Sequence, residues 1–112
     1  MVKNVLNAEH YIWGGLCDGW HLLQHDDLSV IQERMPPGTT EQLHLHEKSR
    51  QVFYILSGSA QMEMEGTPFT LRTGDSISVA PGQAHKISNN GAEDVHFLVI
   101  SSPKSHGDRI NL

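Results

Sequence analysis

Short stretches of alternating apolar and polar residues, separated by turn-forming residues, run along most of the chain. The clearest lies at residues 61–65, where Met62 and Met64 are the apolar positions and glutamine and glutamates fill the others. A period of two places both methionines on the core-facing side of a β-strand. Turn-forming residues recur about every 8–12 residues, and no long stretch has a helical period. The pattern predicts an all-β chain folded as an antiparallel sandwich or barrel.

The same criteria define the remaining predicted strands. Pro36-Pro37-Gly38 ends one strand, and Gly66-Thr67-Pro68 is predicted as a hairpin turn. The first 16 residues have a mixed pattern and are expected to wrap an edge of the barrel. The predicted strands cover residues 20–23, 28–35, 43–46, 51–56, 61–65, 69–71, 76–79, 87–88 and 94–101.

The strand at residues 51–56 is apolar on both faces. Gln51, Phe53 and Ile55 share one face, while Val52 and Tyr54 lie on the other together with a leucine. A strand of this kind must be covered on both sides. The second cover is either the N-terminal segment or another subunit, and we expect a homodimer.

Composition narrows the classes of function. The chain has 112 residues, which predicts a single domain over residues 1–112, and 38% of them are hydrophobic. A net charge of −5 without a basic cluster argues against nucleic acid as a partner. No apolar stretch approaches the roughly 20 residues of a membrane span. With Cys17 as the sole cysteine, no intrachain disulfide is possible, and we expect a cytoplasmic protein.

Four residues have the spacing of a metal site. His44 and His46 are two residues apart, so a strand directs both imidazoles to one face. Gln51 follows after a turn and is expected on the neighbouring strand, and His85 arrives from a third strand. Three imidazole nitrogens and one amide oxygen suit a divalent transition metal. The alternative for the histidines is a set of strand residues bonded to the backbone.

These residues belong to two spaced motifs that resemble those of the cupin superfamily. The resemblance covers residues 38–58 and 74–89, and it departs from the usual pattern in two places: Gln51 replaces a glutamate and Ala80 replaces a proline. It implies a single-domain cupin β-barrel, also described as a double-stranded β-helix or jelly roll. The matching motif positions are Gly38, His44, His46, Gln51 and Gly58, followed by Gly74, Gly82, His85 and Asn89.

The resemblance further implies one divalent metal per subunit, such as Zn, Ni, Fe or Mn, held by His44, His46, Gln51 and His85. Gln51 contributes a neutral oxygen, so the site keeps the full charge of the ion and should attract anionic ligands. The alternative for Gln51 is a cavity-facing amide left from a lost metal site.

Function is open between two hypotheses at this stage. The first is a dioxygenase-like or isomerase-like enzyme acting on a small organic molecule that chelates through oxygen. The second is a non-catalytic module that binds a sugar-like small molecule. No catalytic base is identified. Glu41 is expected outside the site unless a bend in the approach loop turns it inward, and Glu47 is expected on the solvent face. His96 is expected either at an edge or as a donor lining the cavity. The proposed cavity walls are Phe53, Ile55, Met62 and Met64, with core packing as the alternative or additional role of all four.

Overall fold

The computed structural model describes all residues 1–112 and consists of β-strands joined by turns. The chain contains no helix that could cross a membrane. The strands, in chain order, are β1 (Glu9–Trp13), β2 (Cys17–Gln24), β3 (Ser29–Met35), β4 (His44–His46), β5 (Arg50–Ser57), β6 (Ser59–Met64), β7 (Thr67–Arg72), β8 (Ser76–Val79), β9 (His85–Ser88), β10 (Val95–Ser102) and β11 (Arg109–Asn111).

Two antiparallel sheets pack face to face. The six-stranded sheet has the order β1-β2-β3-β10-β5-β8, and the five-stranded sheet has the order β11-β4-β9-β6-β7. Neighbouring strands are mostly far apart in sequence, as in a jelly roll. This arrangement confirms the predicted all-β barrel. It also places β4 and β9 in one sheet and β5 in the other, so the space between the sheets is where their inward side chains meet.

The core fills one end of this space. Phe97, Met35, Ile55, Met62 and Ile87 are among its largest fully buried side chains. Met62 is buried as predicted, and Met64 is half-buried against the same cluster. Burial of apolar surface stabilises the sandwich by roughly 25 cal/mol per Å². Because the core occupies one end, the other end is free to form a cavity.

Local details explain several motif residues. Gly58 has a φ of +80°, and a Cβ atom there would lie 2.5 Å from the carbonyl oxygen of Asp94. Only glycine lets β10 approach this turn so closely. Asn89 is fully buried, and its Nδ2 donates to the carbonyl oxygens of Met35 and Glu93 at 2.8 Å. These motif positions therefore maintain the scaffold and do not contact the cavity.

Two elements differ from the sequence expectations. The β6–β7 hairpin turns at Glu65 and Gly66, both with positive φ, and Pro68 lies inside β7. An edge strand tolerates proline because one side of it needs no ladder hydrogen bonds. The other difference is at the C-terminal side, where β11 pairs with β4 and was not predicted.

Candidate metal site

Strands β4 and β9 bring three histidines together. His44 lies directly opposite His85 in the antiparallel ladder, and His46 is two residues further along the same face. One nitrogen from each ring lies within 4.8 Å of the others. All three side chains are buried, with His85 fully enclosed. The structure thus brings His44, His46 and His85 together from two strands.

Backbone carbonyls fix the tautomers of two of these rings. His44 Nδ1 donates to the carbonyl oxygen of Gln42 at 2.8 Å, and His85 Nδ1 donates to that of Gln83 at 3.0 Å. A carbonyl oxygen only accepts, so the proton sits on Nδ1 and the lone pair on Nε2. His85 Nε2 is buried and has no hydrogen-bond partner. Rings oriented in this way are prepared to ligate a metal through Nε2.

Gln51 reaches the same cavity from the facing sheet. Its Nε2 donates to Ser101 Oγ at 3.0 Å, which leaves Oε1 buried without a partner. The expectation that Gln51 lies on a strand neighbouring β4 is wrong, because the turn at residues 47–49 carries the chain from one sheet to the other. The unpartnered amide oxygen is available to a cation, so the donor set fits a divalent transition metal.

The three imidazoles are neutral at neutral pH. Burial lowers the pKa of His44 from 6.5 to about 3, and burial also lowers the pKa of His46 and His85. Positive neighbours, including the other rings, act in the same direction. Neutral imidazole is the form that ligates metals. At neutral pH the three histidines are therefore already in the protonation state that binds a metal.

A cavity of about 410 Å³ opens in front of this cluster. His44, His46, Gln51 and Phe53 line its inner end. Of the four predicted wall residues, only Phe53 contacts the cavity, whereas Ile55, Met62 and Met64 belong to the core. The space is of the size that holds a small organic molecule.

Two carboxyl groups that were not predicted as site residues also line the cavity. Glu33 accepts a hydrogen bond from the hydroxyl of Tyr11 at 3.0 Å. Burial, together with the nearby charge of Glu41, raises the pKa of Glu33 from 4.5 to about 8. Glu33 lies on the inward face of β3 between Ile31 and Met35, and this parity was the sequence signal that could have identified it.

Glu41 lies in the cavity as well, which corrects the expectation that it stays outside. Its backbone N–H donates to the carbonyl oxygen of Ile87, and its Oε1 accepts from the N–H of Ile87 at 3.0 Å. This pair of bonds turns the side chain inward, to 4.0 Å from His44 Nδ1. Burial raises the pKa of Glu41 to about 7. The cavity therefore contains two groups able to exchange protons near neutral pH.

The other residues considered earlier lie away from the site. Glu47 is exposed, as expected, and His96 is half-buried without contacting the cavity.

The backbone N–H of Ala80 donates to Gln83 Oε1 at 2.8 Å, a bond that a proline at this position could not make. The Ala80 departure from the motif therefore has a local structural role.

The segment that follows β10 contacts the turn after β4, the strand that carries His44 and His46. Asp108 Oδ2 accepts hydrogen bonds from the backbone N–H groups of Lys48 and Ser49, both at 2.9 Å. Ser49 Oγ donates to the carbonyl oxygen of Pro103 at 2.7 Å. These contacts hold the turn between His46 and Gln51. No local sequence pattern predicts these contacts, because they join residues more than 50 positions apart.

Comparison with known proteins identifies the family. The model of the cupin domain family matches residues 31–101. An uncharacterised protein of Methanocaldococcus jannaschii is 35% identical over 81 residues, which are 71% of this chain and 65% of that protein. The oxalate-binding protein of Thermotoga maritima is 33% identical over 67 residues, which are 60% of this chain and 55% of that protein. The chain thus spans between half and two thirds of the length of these relatives.

Solved structures agree on the fold. A predicted oxalate decarboxylase from Thermotoga maritima superposes with a TM-score of 0.84 at 24% identity, over 93% of this chain and all of the other. At that identity the similarity speaks for the architecture alone. Together with the matched family model and the motif residues on β4 and β9, it shows that this chain belongs to the cupin domain family.

Proposed function

We propose that the protein binds one divalent transition metal, such as Zn²⁺, Ni²⁺, Fe²⁺ or Mn²⁺, through His44, His46, Gln51 and His85. The observation that carries the proposal is the convergence of three ring nitrogens within 4.8 Å. Two buried atoms without partners support it, His85 Nε2 and Gln51 Oε1. An unsatisfied buried polar atom is costly, and a metal ion would satisfy both.

We further propose that the bound metal takes a small organic acid that chelates through two oxygens, with oxalate as the reference ligand. Four neutral donors leave the charge of the ion uncompensated, which favours an anion at its open positions. The name of the Thermotoga maritima relative, an oxalate-binding protein, points to the same class. Arg109 also lines the cavity and adds a positive charge at its mouth.

The presence of Glu33 and Glu41 favours an isomerase-like activity over a dioxygenase-like one. When bound, the metal would polarise a carbonyl or carboxylate oxygen as a Lewis acid. Glu33, held by the Tyr11 hydroxyl, is partly ionised near neutral pH and can accept a proton from a C–H group beside that oxygen. The same carboxyl can then return the proton to the neighbouring carbon. A sugar-like ligand held without reaction is the non-catalytic alternative.

Metal binding is tested by elemental analysis and titration calorimetry. We expect about one ion per chain after supply of Zn²⁺, Ni²⁺, Fe²⁺ or Mn²⁺, and loss of binding in His85→Ala. His96→Ala, which changes a histidine outside the cavity, should bind like the wild type. A folded protein that takes up none of the four ions would contradict the proposed site.

Activity is tested separately on the metal-loaded protein. Deuterium exchange at C3 of pyruvate in D₂O, followed by NMR, should be accelerated, and Glu33→Gln should slow it while oxalate affinity is retained. Oxygen consumption by the Fe²⁺-loaded protein without exchange would favour the dioxygenase-like activity. Tight oxalate binding with neither reaction would favour the non-catalytic alternative.

A further inference from the structure

A second, smaller cavity adjoins the metal cavity. It has a volume of about 120 Å³, and its walls come from β2, β3 and the segment before β11. We call it the side pocket and define it by His21, Gln24, Ser29, Lys104 and His106. Ile31 and His106 line both spaces, so the two cavities are neighbours.

Two buried polar atoms of the side pocket have no partner within the protein. The His21 side chain is 7% exposed, and its Nδ1 makes no hydrogen bond. Ser29 is 4% exposed, and its Oγ is likewise unpaired. Strand β2 pairs Gln24 with Ser29 and His21 with Ile31, which places both atoms at the same end of the sheet. Buried groups of this kind normally have partners, so the side pocket has the features of a site for a polar group.

The charged and polar residues around the side pocket indicate which chemical group of a ligand it would bind. Lys104, His21, His25 and His106 all offer nitrogen atoms that can act as hydrogen-bond donors, whereas Asp26 is the one acidic residue in the lining. The Asp26 carboxylate bonds Lys104 Nζ at 2.9 Å, but its side chain is 93% exposed and faces solvent. An excess of donors in a space that holds only a few heavy atoms suits a carboxylate.

His106 forms the partition between the two cavities. Its ring lies edge-on to that of His21 at 5.3 Å and to that of Tyr11 at 5.9 Å. Tyr11 belongs to the metal cavity and His21 to the side pocket. His106 is itself an exposed residue. A ligand chelated at the metal could therefore extend past this ring with its far end in the side pocket.

We propose that the side pocket binds the distal carboxylate of the same ligand, so that the ligand class is a short 2-hydroxy or 2-oxo dicarboxylic acid. This inference rests on the proposed function, because the other end of the molecule chelates the metal. Ser29 Oγ and His21 Nδ1 donate to the carboxylate, and Lys104 supplies the compensating charge.

Matched acids test the proposal on Ni²⁺-loaded protein by calorimetry. Malate and 2-hydroxybutyrate have the same four-carbon chain and the same chelating end, but only malate has a second carboxylate. The pair 2-hydroxyglutarate and 2-hydroxypentanoate extends the comparison by one carbon. We expect the dicarboxylate to bind at least about tenfold more tightly in at least one pair. In the double variant Ser29→Ala, Lys104→Met, the preference should fall to near onefold.

Control measurements distinguish a failure of the side-pocket proposal from a failure of the proposed metal function. Oxalate chelates with both of its carboxylates and has no further group for the side pocket, so the double variant should bind it normally, which also shows that the variant is folded. Lys86→Met, a lysine outside both cavities, should keep the preference. Equal binding of both members of each pair, or a preference that survives the double variant, would overturn this proposal while oxalate binding upholds the metal function. Failure of oxalate to bind at all would overturn both.

Discussion

Gln51 determines the charge of the proposed metal site. It supplies a neutral oxygen from β5, and its amide is oriented by Ser101 Oγ at 3.0 Å. A glutamate there would cancel one of the two positive charges of the ion. The compensating carboxyls lie further away, at Glu33 and Glu41, where each can hold a proton near neutral pH. In the proposed site, the negative charge near the ion would therefore depend on the protonation of these two carboxyls and not on a fixed carboxylate ligand.

Gln51→Glu should tighten binding of Mn²⁺ and Fe²⁺, since a carboxylate oxygen suits harder cations, and should weaken binding of oxalate to the loaded site. Both effects are expected to be about tenfold or larger, and calorimetry with each metal measures them. Gln61→Glu, on the outer side of β6, introduces the same charge without contacting the cavity. If the Gln51 variant matches the wild type in all titrations, Gln51 is not a ligand.

Glu33→Gln should change the pH dependence of stability in the metal-free protein. The pKa of Glu33 is about 8 when folded and 4.5 when unfolded, so the folded state keeps this proton to higher pH. Its contribution to stability is present below about pH 4.5 and is lost as the pH rises towards 8. Relative to the variant, the wild type should lose on the order of 4 kcal/mol of unfolding free energy between about pH 5 and pH 9.

Urea unfolding at a series of pH values provides the measurement. Glu47→Gln alters an exposed carboxyl and should leave the pH profile of the wild type unchanged. Parallel profiles for the wild type and Glu33→Gln would mean that Glu33 ionises as freely in the folded protein as in the unfolded chain.

At the level of elements, β4 depends on β11. The ligand strand is three residues long, and its edge neighbour is β11, with Arg109 opposite His46 and Asn111 opposite His44. Asp108 binds the two backbone N–H groups at the end of β4. Hydrogen bonds to Lys48 and Ser49 lower the pKa of Asp108, so it remains ionised except in acid. The turn between two proposed ligands is thus fixed by a distant segment.

Asp108→Ala should weaken metal affinity about tenfold, because two backbone N–H groups in the turn between His46 and Gln51 would lose their acceptor. Asp108→Asn keeps an oxygen acceptor and should lose less. Competition with a fluorescent zinc chelator gives both affinities. Asp75→Ala makes a matched control, because Asp75 also accepts a backbone N–H, from Arg72, but at a turn remote from the site. Equal metal affinity in Asp108→Ala and wild type would show that β11 does not support the site.

The site was partly predictable from sequence, for reasons visible in these elements. His44, His46 and His85 follow from the parity of strands and the spacing of turns, which are local properties. Gln51 was assigned correctly to the cavity but to the wrong sheet, because spacing does not reveal which way a turn crosses the barrel. Glu41 and the β11 pairing depend on contacts with residues more than 40 positions away, and no local pattern records them.

At the scale of the molecule, the outer face of the six-stranded sheet carries apolar side chains without a cover. Tyr54 is opposite Leu98 and Val52 is opposite Ile100 in the β5–β10 ladder. Tyr54 is 40% exposed and lies at the centre of this group. The N-terminal segment pairs with β2 at the sheet edge and so leaves β5 uncovered. Of the two covers expected from the sequence, the N-terminal segment and another subunit, this geometry supports the second.

We expect a homodimer formed through this face, with Tyr54→Glu dissociating it by placing a charge in the apolar contact. Light scattering at micromolar concentration should give twice the chain mass for the wild type and the single mass for the variant. Phe69→Glu, at an exposed aromatic residue of β7 on the other sheet, should remain dimeric. A monomeric wild type would contradict the expectation.

The proposed ligands are divided unequally between the sheets, with three on β4 and β9 and one on β5. A bound ion would therefore act as a cross-link that joins the two halves of the sandwich at the end where no core does so. The ion would be held more firmly by one sheet than by the other, because separating the sheets would break the one bond to Gln51 and leave the three bonds to the histidines. The ion would then stay with the smaller sheet, and the barrel could open at its mouth and close again without releasing its metal.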